Sequence, residues 1–371
     1  MTALPSPAWP RFVRAAAAAA LLLLLLPGAS AQAARTGVGS EWLASRIDGR
    51  TADAIALGVS TEGARRVTES LSLRFMLEGR RRLSGFDADA ADLRELLLEW
   101  RGPAATVRAG MGNVFWGVTE SRHLVDVVNQ LDTRFDLSGH VKLGQPMAAA
   151  SLPVGPATLD AYLLPCHRRR PLPWGSQGAH DRQADGAWVE LDCDGRVGKA
   201  VRLSLVADAL DLGLGYFDGI AREPAAAAGG RTYPEVRRWS LDGQLTLGSW
   251  LLKLEALGES RPGPHRRAAV AGFEYTLANL AAWADIGLLY EHLEESDCPA
   301  FTCGDMAGIR IGLNDEQDTQ ALFTALRDSE SGRTGYLLQA ERRLGSAWKL
   351  KLDARRQRSA SFLSLRLQYF F

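Results

Sequence analysis

The chain has 371 residues, 43 lysines and arginines against 43 aspartates and glutamates, and a mean hydropathy near zero. A formal net charge of zero provides no field for nucleic acid, and no Lys/Arg-dense run suits an anionic surface. No linker or shift in composition marks a domain boundary, so one domain is expected after the N-terminal segment.

Residues 1–31 read as a cleaved signal peptide. Arg11 and Arg14 give a basic start, Ala15 to Leu26 are unbroken apolar, and Ala29-Ser30-Ala31 supply a small-residue site. The apolar run has 12 residues, too few for a spanning helix of roughly 20. Cleavage is expected after Ala31, with Ala33 as the alternative, leaving 41 basic against 43 acidic residues and a charge of −2. No later apolar stretch nears that length. Membrane residence would therefore require a closed barrel, which needs only alternate residues apolar.

Period-two patterning recurs along the chain. Leu71, Leu73, Phe75 and Leu77 alternate with polar residues, as do Leu241 to Leu247, Trp250 to Ala256, and Trp348 to Ala354. In the last of these, Lys349, Lys351, Asp353 and Arg355 share one face. Candidate strands fall near 52–61, 66–78, 92–100, 104–112, 147–153, 157–165, 199–207, 209–217 and 236–247. Others fall near 249–258, 268–277, 280–292, 306–313, 318–327, 334–344, 347–356 and 362–371. Bacterial barrels carry even strand numbers, so these 17 imply either a weak strand near 37–47 or one false assignment, hence 16 to 18.

Short and long connections alternate. Gly248-Ser249, Ala278-Asn279 and Gly345-Ser346 read as tight turns. Residues 166–198, 218–235, 259–267 and 293–305 read as long loops, and Ala225–Ala228 is a low-complexity piece within one of them. This asymmetry is that of an all-β transmembrane antiparallel barrel. Trp100, Trp239, Trp250, Tyr290, Trp348 and Tyr369 sit at strand ends, where a membrane girdle needs them. A lumen wall of both signs follows from Arg74, Lys253, Glu255, Glu274, Lys351, Asp353, Arg355 and Arg366, hydrated by lumen water. Such a wall implies a transverse field and little net selectivity.

Cys166, Cys193, Cys298 and Cys303 make an even count in an exported chain, so disulfides within each loop are expected. A metal site using His167 or His180 is the rival, but the spacing matches no zinc pattern.

The last strand alternates Leu363, Leu365, Leu367, Tyr369 and Phe371 with Ser364, Arg366 and Gln368, Phe370 being the exception. A terminal strand ending in Phe resembles the signal read by barrel-assembly machinery in Gram-negative outer-membrane proteins, with Tyr369 and Phe371 as its aromatic positions. Residues 110–146 (GMGNVFWGVTESRHLVDVVNQLDTRFDLSGHVKLGQP) resemble a segment of porin-like outer-membrane families of unassigned function. The resemblance is carried by Gly112, Phe115-Trp116-Gly117 and Asp126-Val127-Val128-Asn129. KLGQP at 142–146, GFEYTLANL at 272–280 and GIRIGLNDEQDTQALF at 308–323 extend it over most of residues 90–371. Residues 32–50 depart from it, lacking a clear alternating strand. The resemblance implies a barrel in the cell outer membrane and names no transported substance.

Residues 113–146 are too long for a plain turn and gather Trp116, Glu120, Arg122, His123, Asp126, Asn129 and Asp132. They are expected inside the barrel, as a pore constriction or a plug. Leu124, Val127, Val128 and Leu131 recur at helical spacing, so the segment reads either as an inward loop or as a helix. Ser121, His123 and Asp126 lie close in sequence, but a hydrolytic triad is defined by geometry rather than adjacency. The leading expectation is a non-enzymatic porin-like channel for passive passage of small solutes. The alternatives are a closed structural or adhesive barrel and, behind both, an outer-membrane hydrolase; a soluble periplasmic β-protein is the remaining reading. The expected partners are outer-membrane lipid, the assembly machinery and small solutes, with no cofactor, metal or nucleic acid; the oligomeric state is left open.

Overall fold

A computed structural model describes residues 31–135, 139–172, 187–227, 230–280, 282–298, 302–358 and 360–371. The signal segment 1–30 lies outside the described residues. In chain order the strands are β1 (Ala31–Ile47), β2 (Arg50–Arg66), β3 (Leu71–Gly85), β4 (Ala90–Arg101), β5 (Thr106–Gly112), β6 (Gln145–Val154) and β7 (Ala157–Leu164). β8 (Gly198–Ala207) and β9 (Leu210–Ile220) follow, then a small ribbon of β10 (Ala225–Ala227) and β11 (Gly230–Thr232). Next come β12 (Glu235–Leu247), β13 (Trp250–Ser260), β14 (Arg266–Leu280), β15 (Ala284–Glu295) and β16 (Gly304–Leu313). The wall ends with β17 (Gln320–Asp328), β18 (Thr334–Leu344), β19 (Trp348–Gln357) and β20 (Ala360–Phe370).

Apart from the ribbon, these strands form one 18-stranded antiparallel sheet in which each pairs with its sequence neighbour. β1 also pairs with β20, from Gly37↔Phe370 to Ile47↔Ala360, so the sheet closes and leaves no edge. Phe371 extends the seam by exchanging backbone hydrogen bonds with Thr36 at 3.0 and 3.3 Å. The close approach needs Gly39, where a Cβ would lie 2.2 Å from the Leu367 carbonyl oxygen.

Side chains alternate between the two faces of the wall. On β13, Lys253, Glu255, Leu257 and Glu259 are buried, while Trp250, Leu252 and Leu254 are exposed on the outside. On β20, Ser364 and Gln368 point in, and Leu365 and Tyr369 point out. All six aromatic residues assigned to a girdle are exposed on the outer face.

Two readings are sharpened, β1 and Phe370, and two are corrected, the start of β3 and the turn after β14. Residues 31–47, where the pattern was weakest, form one of the longest strands. The turn that follows is Asp48-Gly49, both at positive φ, a two-residue hairpin connection whose Asp-Gly pair is itself a sequence signal. Val67 to Ser70 form a turn before β3, in which the Val67 and Thr68 amides bond the Leu71 carbonyl. β14 runs through Ala278 and Asn279, with a register shift there, and the turn comes after Leu280. Phe370 faces the lumen: its ring covers Gly37, and the Arg35 guanidinium stacks 4.0 Å from its centroid.

Candidate functional site

β5 stops at Gly112 and β6 starts at Gln145, and the chain between them folds into the lumen. Leu124, Val125, Val127 and Val128 are buried against Met147, Tyr162, Phe217, Val270 and Leu293 of the wall. None of the described residues of this insert is helical. The apolar spacing marks packing of an irregular chain, because its amides are satisfied by the wall instead of by a helical ladder.

Two inward carboxylates supply that satisfaction. Glu255, fully buried, accepts from the Val118 amide at 2.7 Å, the Thr119 amide at 3.0 Å, the Thr119 hydroxyl at 2.8 Å and the Val125 amide at 3.2 Å. Gly117 precedes this cluster at φ 127°, and a Cβ there would meet Glu255 Oε1 at 2.7 Å, so glycine is required. Glu291 accepts from the Glu120 and Ser121 amides, each at 2.8 Å. Arg310 donates to Glu120 at 2.7 Å, Lys253 lies 3.8 Å from the same carboxylate, and Arg122 pairs with Glu295.

The other half of the insert reaches the opposite wall. The Asn129 side chain ties Val114, Gly112 and Leu143 together at 2.9 Å each. Asp126 pairs with Lys142. Asp132 sits between Arg94 at 3.0 Å and Arg134 at 2.8 Å, and these cations hold its carboxyl below the usual carboxylate range despite burial. The Phe135 ring has Arg80, Arg94, Arg134 and Arg366 between 4.9 and 5.9 Å of its centroid. Trp116 packs edge-on to Tyr162 at 5.9 Å, with Arg202 5.3 Å over its ring.

Among the described residues, an open sector lies beside β16 to β19. A cavity of about 250 Å³ lies there, between Glu120 and His140 of the insert and Arg310, Gln339, Lys351 and Asp353 of the wall. A second recess continues past Glu120 and Ser121 to Arg355. Several of the lumen charges are paired with one another. Lys253 meets Glu274 at 3.4 Å, Lys351 meets Glu341 at 3.4 Å, and Gln339 donates to Asp353 at 2.9 Å. Arg366 bridges Glu41 at 3.0 Å and Glu78 at 3.2 Å. Arg74 faces the lumen in register with Ala64 and Leu97.

Ser121, His123 and Asp126 do not assemble as a triad. Ser121 is bonded to Glu291, Asp126 is held by Lys142, and both ring nitrogens of His123 are buried without a hydrogen-bond partner. Burial first, then the neighbouring His140, lowers the His123 pKa to about 4, so it is neutral at pH 7. The Nδ1 of His167 lies 2.9 Å from an Arg222 nitrogen, and its pKa is depressed by burial and by that cation. His180 lies outside the described residues. Cys166 is bonded to Cys193, and Cys298 to Cys303.

Sequence reasoning missed Glu41, Glu78, Glu291 and Glu295 on the wall, and Arg94 and Phe135 as anchors. Glu291 and Glu295 were legible in principle, since they share the inward face of an alternating strand.

No sequence-family model matches the chain, and no curated protein matches it. Solved structures do. OccK8 (OprE) of Pseudomonas aeruginosa superposes with a TM-score of 0.59 at 12% identity, over 91% of this chain and 97% of that one. OpdO of the same organism gives 0.56 at 13% identity, over 91% and 96%. The fold is that of an outer-membrane porin. OccK2 (OpdF) of P. aeruginosa, solved in complex with glucuronate, gives 0.55 at 12% identity, over 91% and 98%. At these identities the likeness establishes the porin barrel, and the insert's chemistry rests on this chain's own residues.

Proposed function

We propose that this porin-type barrel resides in the Gram-negative outer membrane and passes small hydrophilic solutes through the sector beside β16 to β19. The observation that carries this reading is the asymmetric lumen: the insert packs against the wall from β4 to β16 and leaves a charged cavity beside β16 to β19. Glu120, Ser121 and His140 form the constriction side of the insert, while Trp116, Arg122, His123, Asp126, Asn129 and Asp132 fix its position. Lys351, Asp353 and Arg355 face it from the wall. The start of β1, the end of β20 and most of the short turns, among them 155–156, 208–209, 248–249 and 345–347, lie at one rim, which faces the periplasm by analogy with known barrels. Tyr369 and Phe371, exposed beside the seam, are the residues that the assembly machinery reads on this account.

Arg310, Lys351 and His140 line the cavity together with Glu120, Glu341 and Asp353, and glucuronate, with which the neighbour OccK2 was solved, is the first probe. A sealed structural barrel is the second reading, and it is favoured by an insert held at one end by β13 to β16 and at Phe135 by β3, β4 and β20. Planar-bilayer recordings of the purified chain separate the two. Stepwise current that falls when glucuronate is added supports the channel, and a silent but correctly folded barrel supports the seal.

A further inference from the structure

The outer face of the wall carries a recess of about 860 Å³ that the channel reading leaves unused. Its floor is made of small outward residues, Ser40, Gly79 and Ala91, in a wall otherwise faced with Leu, Val and aromatic side chains. Strand pairing sets its course. Ala91, Gly79, Val59, Val38, Tyr369 and Trp348 are successive partners on β4, β3, β2, β1, β20 and β19. Five inter-strand steps at ~4.8 Å make a path of about 24 Å. Strand tilt near 45° turns that path into a descent of about 17 Å, close to half of the ~30 Å hydrocarbon core.

The lower end is closed by Trp348 and Tyr369, whose ring centroids are 5.0 Å apart beside the short turn 345–347. Near the upper end Arg81 projects outward, in register with Leu57 and with its side chain 80% exposed. Asp89 holds one part of the guanidinium. A guanidinium has five N–H donors, so the rest of the fork still faces outward. An apolar groove of leaflet depth with a cation at its mouth matches one molecule: a lipid with an acyl tail and a phosphate head.

We propose that this recess is a specific binding site for a phosphate-bearing membrane lipid, with one acyl chain along Gly79 and Ser40 and the phosphate on Arg81. This inference rests on the membrane location proposed above. Its test is native mass spectrometry of the full purified chain, released from detergent in the presence of phosphatidylglycerol. One retained lipid per chain is expected. Gly79→Trp fills the floor, and the position tolerates a side chain, since a Cβ would come no nearer than 3.5 Å to Val59. It should reduce retention at least tenfold. Arg81→Ala should weaken phosphatidylglycerol retention several-fold. Leu214→Trp, on the outer face of the distant β9, should change nothing. Equal retention by Gly79→Trp and the unaltered chain overturns the proposal. So does a dimer that Gly79→Trp abolishes, which would make the recess an interface between copies. A barrel that folds and conducts but retains no lipid removes this inference alone; a chain that does not enter membranes removes the location as well.

Discussion

Glu255→Gln is the sharpest perturbation of the insert, because it keeps the side chain's volume and removes its charge. Glu255 receives four donors from residues 118–125: three on Oε1 and the Val125 amide, at 3.2 Å, on Oε2. Glutamine has one acceptor oxygen, so an amide NH₂ must face at least one of these donors. A hydrogen bond to a charged group is worth about 1.5–3 kcal/mol, and the bonds that survive lose their charge assistance. The packed insert should lose about 3 kcal/mol, which is a factor of about 100 in its equilibrium with a locally released state. Amide hydrogen exchange in detergent should show protection at Val118, Thr119 and Val125 falling by about that factor. Single-channel current should become larger or noisier. Unchanged protection at all three amides would refute the reasoning, since the carboxylate would then not be what holds the segment.

Acidification should act on the same segment through His123. Its packed-state pKa of about 4 lies below the released value near 6.5, so the released form takes up the proton first as pH falls. Packing stability is complete above pH 6.5 and declines toward pH 4 by up to about 3 kcal/mol, and His123→Gln should flatten that decline in a pH series of exchange or conductance. Phe135→Ala removes a ring shared by four arginines and should cost about 3 kcal/mol or more as a buried aromatic truncation, read as a drop in the denaturant midpoint of the insert; no change would show that the tip is not anchored. Leu365→Arg places a charge on the exposed outer face of β20 and should destabilise the barrel in lipid by about 2–4 kcal/mol near the midplane, measured by reversible unfolding from vesicles.

The barrel was legible because alternation is a direct consequence of a wall with lipid on one side and a polar lumen on the other. Each of the candidate strands corresponds to a strand of the wall; most ends agree to within four residues, but the pattern ends β2 five residues early and displaces β3 by five to seven. β1 was hard to read because its inward face mixes Glu41, Leu43 and Ser45. Its outward face alternates Val38 and Trp42 with the small residues Ser40 and Ala44, so neither face is uniformly apolar or polar. Asp48-Gly49 would have exposed it. The insert's inward fold was legible from its length and composition. Its conformation was not, because the groups that satisfy its backbone lie on strands more than 100 residues away: Glu255 and Glu291 bind residues 118–125 across 130 to 171 positions of sequence. The lumen charges were visible as types, but their pairing was not, since Arg366 meets Glu41 and Glu78 only after the seam has closed.

The central claim is that solutes pass on the β16 to β19 side of the insert and not through its packed side. Cysteine accessibility tests it directly, because both cysteine pairs are disulfide-bonded and no free thiol competes. Gln339→Cys lines the cavity, while Val270→Cys lies 1% exposed beneath the insert. A membrane-impermeant sulfonated thiol reagent, added during planar-bilayer recording, should react with Gln339→Cys and reduce the current, and should leave Val270→Cys untouched. Rapid block through Val270→Cys with no effect at Gln339→Cys would place the path on the other side and contradict the account.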